Sequence, residues 1–134
     1  MAGTRYFLDT NILVGSLTAS RRLDTYTRDL LADGSNELLT SAVCIWEVAM
    51  KHHKKPDTTP DPIAVLAATA QFGATIVGLD VADTLDVLRL ERLHNDPFDH
   101  LILAQSRRRD ARLLTSDSEL GRYGDDVEVV KLKP

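Results

Sequence analysis

Short apolar runs alternate with longer stretches of helical periodicity along the whole chain, and this alternation restricts the fold more than any other feature. Arg5 to Leu8 reads as a short buried strand, and Asp9-Thr10-Asn11 behind it opens a helix. A helix is expected from about Arg21 to Ala32, ended by Asp33-Gly34. Glu37 to Thr40 reads as a strand, and Ser41 caps a helix from Ala42 to about Lys54. The segment from Pro56 to Pro62, with Pro60 between, is a loop, and Asp61-Pro62 caps a helix that stops at Gly73. Thr75 to Gly78 is a third strand and Val81 to Leu93 another helix. Asp96-Pro97 starts a helix that runs to about Arg109. Leu113-Leu114 is a strand, Ser116 to Leu120 a turn or short helix, and Glu128 to Leu132 a last strand. The order predicts an α/β fold, a three-layer α/β/α sandwich around a mostly parallel sheet. The length of 134 residues predicts a single domain over 1–134. Sheets of this kind bind ligands at the carboxyl ends of their strands.

Several acids fall at such places. Asp9 ends the first strand; it reads as a helix N-cap, or as a carboxylate held at the carboxyl edge of the sheet with Thr10 and Asn11 in support. Asp117, in Thr115-Ser116-Asp117 behind Leu113-Leu114, repeats that choice between turn cap and site carboxylate. In Asp96-Pro97-Phe98-Asp99, Asp96 is the natural cap, and Asp99 either suits the helix dipole or points into a cleft. Glu47 is the only polar residue between Ala42 and Met50. A helix that is apolar nearly all round is expected to be buried, and a carboxylate there needs a cationic partner. The competing reading pairs Glu47 with Lys51 on an exposed strip. If Asp9, Glu47, Asp99 and Asp117 converge, their mutual repulsion calls for cations, and oxygen ligands favour Mg²⁺ or Mn²⁺.

Composition sets few further limits. The net charge of −4 argues against a polyanionic partner, but basic residues gather at Arg21-Arg22, at Lys51-His52-His53-Lys54-Lys55 and at Arg107-Arg108-Arg109. Each run reads as a solvated helix end or a patch facing a phosphate backbone. The lone Cys44 excludes an intramolecular disulfide and reads as a small buried side chain in a reducing cytoplasm. No long apolar run follows Met1 to Arg5, so no signal peptide is expected, and no stretch approaches the ~20 apolar residues of a membrane span.

The motifs together resemble the PIN-domain proteins, and among them the VapC toxins of bacterial toxin–antitoxin pairs. The resemblance rests on Phe7-Leu8-Asp9-Thr10-Asn11, on Thr40-Ser41-Ala42 with Ile45-Trp46-Glu47-Val48-Ala49, on Asp96-Pro97-Phe98-Asp99-His100 with Ala104-Gln105, and on Leu113-Leu114-Thr115-Ser116-Asp117. It covers nearly the whole chain. It implies an endoribonuclease using Mg²⁺ or Mn²⁺, with Asp9 and Asp99 as principal metal ligands and Glu47 and Asp117 completing the acidic set. Asp96 matches a frequent extra acid, and Thr10, Asn11 and Thr115 match neighbours that line the site. It also implies an RNA substrate, a cognate VapB-like antitoxin, a homodimer and no membrane.

Other classes remain open at this point. A non-catalytic RNA- or protein-binding module is compatible with the basic clusters. An aspartyl-phosphate phosphohydrolase also begins with an apolar strand ending in Asp, but it wants a second Asp where this chain has Asn11. A zinc site at His94 and His100 matches no standard spacing, and His52, His53, His94 and His100 read as surface residues.

Overall fold

A computed structural model describes residues 3–134; Met1 and Ala2, the first residues of the segment read for a signal peptide, lie outside it. Five strands form one parallel sheet: β1 (Arg5–Leu8), β2 (Glu37–Ser41), β3 (Thr75–Val77), β4 (Arg112–Thr115) and β5 (Val127–Val129). Their order across the sheet is β3-β2-β1-β4-β5. The two central strands explain themselves chemically. Phe7, Leu8, Leu113 and Leu114 are fully buried, as a parallel strand covered on both faces requires. Six helices cover the sheet: α1 (Thr10–Thr18), α2 (Thr25–Ala32), α3 (Ala42–Lys54), α4 (Pro62–Phe72), α5 (Val81–Asp86) and α6 (Pro97–Arg108). Helices α1, α3 and α4 pack on one another, α5 packs on α6, and α3 also meets α6.

The helix starts follow local chemistry. Asp9, Ser41, Asp61 and Asp96 each accept hydrogen bonds from first-turn N–H groups that have no partner inside the helix. Helix α4 stops at Gly73, whose φ of 94° is left-handed and open to glycine without strain.

Four expectations need correction. The second helix begins at Thr25 and not at Arg21, because Asp24 supplies the cap to Thr27 N–H at 2.8 Å while Leu23 pairs with Leu132 in an antiparallel bridge. Helix α5 ends at Asp86, well before Leu93; Val87–Arg89 tightens into a 3-10 turn and Leu90 is extended. Its apolar residues Val81 and Leu85, and Leu88 in the turn behind it, are exposed, so their spacing does not mark a core face. The last strand is Val127–Val129, since Leu132 is taken by Leu23. Helix α3 is not buried all round: Val43, Cys44 and Val48 enter the core, while Trp46 and Met50 are 54% and 41% exposed.

The strand order sets the position of the site. The chain winds outward from β1 to β3, then crosses back to lay β4 against the free side of β1. That reversal opens a crevice at the carboxyl ends of β1 and β4, the usual ligand position in open α/β sheets. Asp9 follows β1, and Thr115 ends β4. Among the described residues no helix is long and apolar enough to cross a membrane.

Candidate functional site

Asp9 is at the floor of this crevice, 5% exposed. Its own N–H donates to Leu114 O at 3.1 Å, tying it to β4. One carboxylate oxygen accepts from Ile12 N–H at 3.1 Å, and the other from the Thr115 hydroxyl. The Thr115 oxygen in turn accepts from Asp117 N–H at 3.0 Å, so its single proton is directed to Asp9. Burial outweighs these bonds and pushes the Asp9 carboxyl from 3.8 up to about 7, with the charges of Asp99 and Glu47 adding to the effect. Asp9 is both a helix cap and a buried, poorly compensated carboxylate.

Asp99 enters from the first turn of α6, with its side chain 15% exposed. Burial raises it to about 6; the hydrogen bond from His94 lowers it, and the charges of Asp96 and Asp117 raise it. His94 Nε2 lies 2.9 Å from Asp99 Oδ2. Glu47 accepts from the Thr10 hydroxyl at 2.7 Å and meets Lys51 Nζ at 3.2 Å, with 23% of its side chain exposed. Its cationic neighbour is therefore Lys51 on its own helix, as in the less demanding of the two readings above, and the buried setting expected for it is only partial. Asp117 accepts from Glu119 N–H at 2.9 Å. Asp96 accepts from the N–H groups of Phe98 and Asp99 at 2.9 and 3.4 Å and is exposed, a helix cap. Asn11 is exposed and lines a shallow hollow with Val14, Arg22 and Ser116, apart from these contacts.

Hydrogen bonds thus join Asp9 with Thr115 and Glu47 with Thr10, and electrostatic coupling links Asp9 to Asp99 and Glu47, and Asp99 to Asp117. Among the described residues, no three His, Cys, Asp or Glu side chains are gathered around one point closely enough to hold a metal ion. Each carboxylate is held instead by a hydroxyl, ammonium, imidazole or backbone partner. The donor chemistry nevertheless fits a hard divalent cation. The donors are carboxylate and hydroxyl oxygens, and Asp9, buried, and Asp99, partly buried, lie where ionisation is disfavoured.

His94 and Lys51 were not among the expected site residues. His94 and His100 are half-buried, not surface residues, because both rings turn toward Tyr123 beneath the start of α6. The available signal was the placement of His94 just ahead of the Asp96 cap, where the chain folds back on the first turn. Beside the site, the Trp46 ring packs at a 54° tilt against Phe98, with ring centroids 4.9 Å apart. The arginine run is not a solvated end: Arg107 pairs with Asp126, and Arg108 and Arg109 pair with Asp83.

The PIN domain family model matches residues 6–126. No curated protein matches the chain. Solved structures share its fold at low identity. VapBC2 from Rickettsia felis, bound to a DNA fragment from its promoter, aligns with a TM-score of 0.70 at 19% identity over 96% of this chain and 100% of that one. DNA-bound VapBC from Salmonella typhimurium gives 0.67 at 13% identity, covering 95% and 97%. Mycobacterium tuberculosis VapC20, a sarcin–ricin loop cleaving toxin, gives 0.62 at 15% identity, covering 96% and 98%. A parallel five-stranded sheet with acids at its carboxyl edge and a family match over nearly the full length lead to one assignment: the chain belongs to the PIN domain family.

Proposed function

We propose that this PIN domain is a VapC-type toxin, an endoribonuclease that depends on Mg²⁺ or Mn²⁺ and is restrained by a VapB-like antitoxin. The observation that carries the reading is the state of Asp9 and Asp99. Asp9 is buried and Asp99 mostly so at the crevice of the sheet, and both are pushed up toward neutrality, to about 7 and about 6. Holding a carboxylate in such a setting costs the fold more than a cap or one imidazole returns, and a bound cation offsets that cost, which supports a metal-dependent reaction.

In this reading Asp9 and Asp99 are the principal ligands, and Glu47 and Asp117 complete the acidic set. A bound divalent cation supplies an activated water and neutralises charge building on a phosphodiester. The chain's own groups supply rigidity. Thr115 and Ile12 N–H fix the two oxygens of Asp9. Thr10 orients Glu47. Lys51, beside Glu47 and half exposed, offers a positive charge to a phosphate at the rim. The Rickettsia and Salmonella neighbours are VapBC assemblies, which supports an antitoxin partner. A homodimer and a cytoplasmic location belong to the same reading.

The test is cleavage of RNA by the purified chain with Mn²⁺ or Mg²⁺, against chelator and against Asp9→Asn. The expected result is cleavage only with metal and only with Asp9 intact. RNA bound but uncut under every condition favours the binding-module reading. Full activity in a folded Asp9→Asn or Asp99→Asn protein overturns the assignment.

A further inference from the structure

Asp99 is held by a chain of hydrogen bonds whose donors and acceptors fit one another when His94 is neutral. His100 Nε2 lies 2.9 Å from the backbone carbonyl of His94, so it carries a proton and donates it there. The Tyr123 hydroxyl lies 3.3 Å from that same protonated nitrogen and 2.8 Å from His94 Nδ1. It also accepts from Leu93 N–H at 3.2 Å. With His94 neutral, the acceptor for its one proton in this group is His94 Nδ1. A neutral imidazole that accepts at Nδ1 must carry its proton at Nε2. That proton points to Asp99 Oδ2, 2.9 Å away. Tyr123 is anchored in turn, since its carbonyl accepts from Arg107, which grips Asp126 through two nitrogens. The His94 side chain is 13% exposed, and its ring meets those of His100 and Tyr123 edge-on at 5.0 and 5.4 Å.

We propose that His94, fixed as the Nε2–H tautomer by Tyr123 and backed by His100, is a positioning residue that sets the orientation of the Asp99 carboxylate toward a divalent cation. His94 occupies Oδ2 and leaves Oδ1 available. It does not touch the reacting atoms. The arrangement has the logic of outer groups that orient metal ligands, whose loss typically weakens metal affinity about 10–100-fold. The inference rests on the metal-dependent reading above.

The experiment is calorimetric titration of Mn²⁺ into the full chain and its variants, with folding followed by circular dichroism. Wild type is expected to bind Mn²⁺, and His94→Ala to bind about 10–100-fold more weakly. His94→Gln, whose amide N–H replaces the donor, should recover part of the loss. Tyr123→Phe, which frees the tautomer, should fall between wild type and His94→Ala. In cleavage assays the Mn²⁺ concentration needed for half-maximal rate should rise in His94→Ala more than the saturated rate falls, a split that mere loosening of the fold does not produce. Nitrogen-15 spectra of wild type should show a bare Nδ1 and a protonated Nε2 on His94, and a mixture in Tyr123→Phe. If wild type binds Mn²⁺ and His94→Ala binds it equally well, if His94→Gln recovers nothing of a loss seen in His94→Ala, or if the spectra show the opposite tautomer, the positioning role is wrong. If His94→Ala does not fold, His94→Gln, Tyr123→Phe and the wild-type spectra decide. If wild type itself binds no Mn²⁺, the broader metal-dependent reading fails instead.

Discussion

The two ends of α6 each meet aspartates, handled in opposite ways. At the C-terminal end, Arg108 and Arg109 both reach Asp83 at 3.0 Å, with Asp80 and Asp86 at the margin. Asp83 is fully buried, yet it also accepts from Asp80 N–H and from Gln105. Burial alone would push its carboxyl up; Arg109 and these bonds hold it below the usual carboxylate range. At the N-terminal end Asp99 has one imidazole, and nearby Asp9 has a hydroxyl and a single N–H. Their carboxyls are raised. A buried aspartate that the fold has fully paired reads as structure, and one left short of positive charge reads as a place for an external cation.

The largest effect that would break this contrast is on catalysis. Asp9→Asn and Asp99→Asn should each lower the cleavage rate by about three powers of ten, since a metal ligand supplies several kcal/mol of transition-state stabilisation. Single-turnover RNA cleavage with circular dichroism as control checks this. Asp83→Asn, on α5 against the other end of α6, should leave the rate per folded molecule unchanged.

Stability should move in opposite directions. In metal-free protein the Asp9 shift from 3.8 to about 7, at ~1.36 kcal/mol per unit, corresponds to a penalty of about 4 kcal/mol at most. Asp9→Asn should recover a good part of it at pH 8, seen in urea unfolding. Asp83→Asn should lose about 3 kcal/mol, the lower end for breaking a buried pair, because both guanidiniums are partly exposed. Equal signs for the two variants would remove the distinction.

The pH dependence follows with its sign. Asp9 binds a proton more tightly folded than unfolded, so its penalty is absent below pH ~4, grows as pH rises to about 7, and persists above. Asp83, with its carboxyl lowered, contributes stability above the ordinary carboxylate range and loses it as pH falls through its own value. Metal-free protein should therefore weaken from pH ~4 to 7, and saturating Mn²⁺ should flatten that limb. Denaturant midpoints across this range test both claims. The smallest effect is that of Lys51→Ala, about 0.5 kcal/mol or less, because the Glu47 pair is an exposed i,i+4 contact.

The contrast also explains what could be read from the chain alone. Caps at Asp9, Ser41, Asp61 and Asp96 are decided within three residues, so local chemistry reveals them. The placement of Asp9 and Asp117 behind β1 and β4 follows from strand ends and the geometry of open parallel sheets. Partners distant in sequence are another matter. Nothing near Arg108-Arg109 announces that Asp83, more than twenty residues earlier, will take them up. His94 becomes legible only once Tyr123 is known to lie under it. Helix α5 misleads because its apolar spacing faces outward while its one buried polar residue anchors it. For Glu47, the apolar run around it conceals that α3 shows Trp46 and Met50 to the outside.

Trp46 is the only tryptophan in the chain, and it rests on Phe98, the residue before Asp99. Its fluorescence therefore originates at a single place, beside the crevice, and needs no introduced label. Half exposed and tilted against Phe98, the indole responds in emission energy to a change of polarity around it and in intensity to a shift of Phe98. The protein thus carries its own optical gauge at the edge of the acidic group, usable with RNA, Mn²⁺ or an antitoxin peptide in the same cuvette.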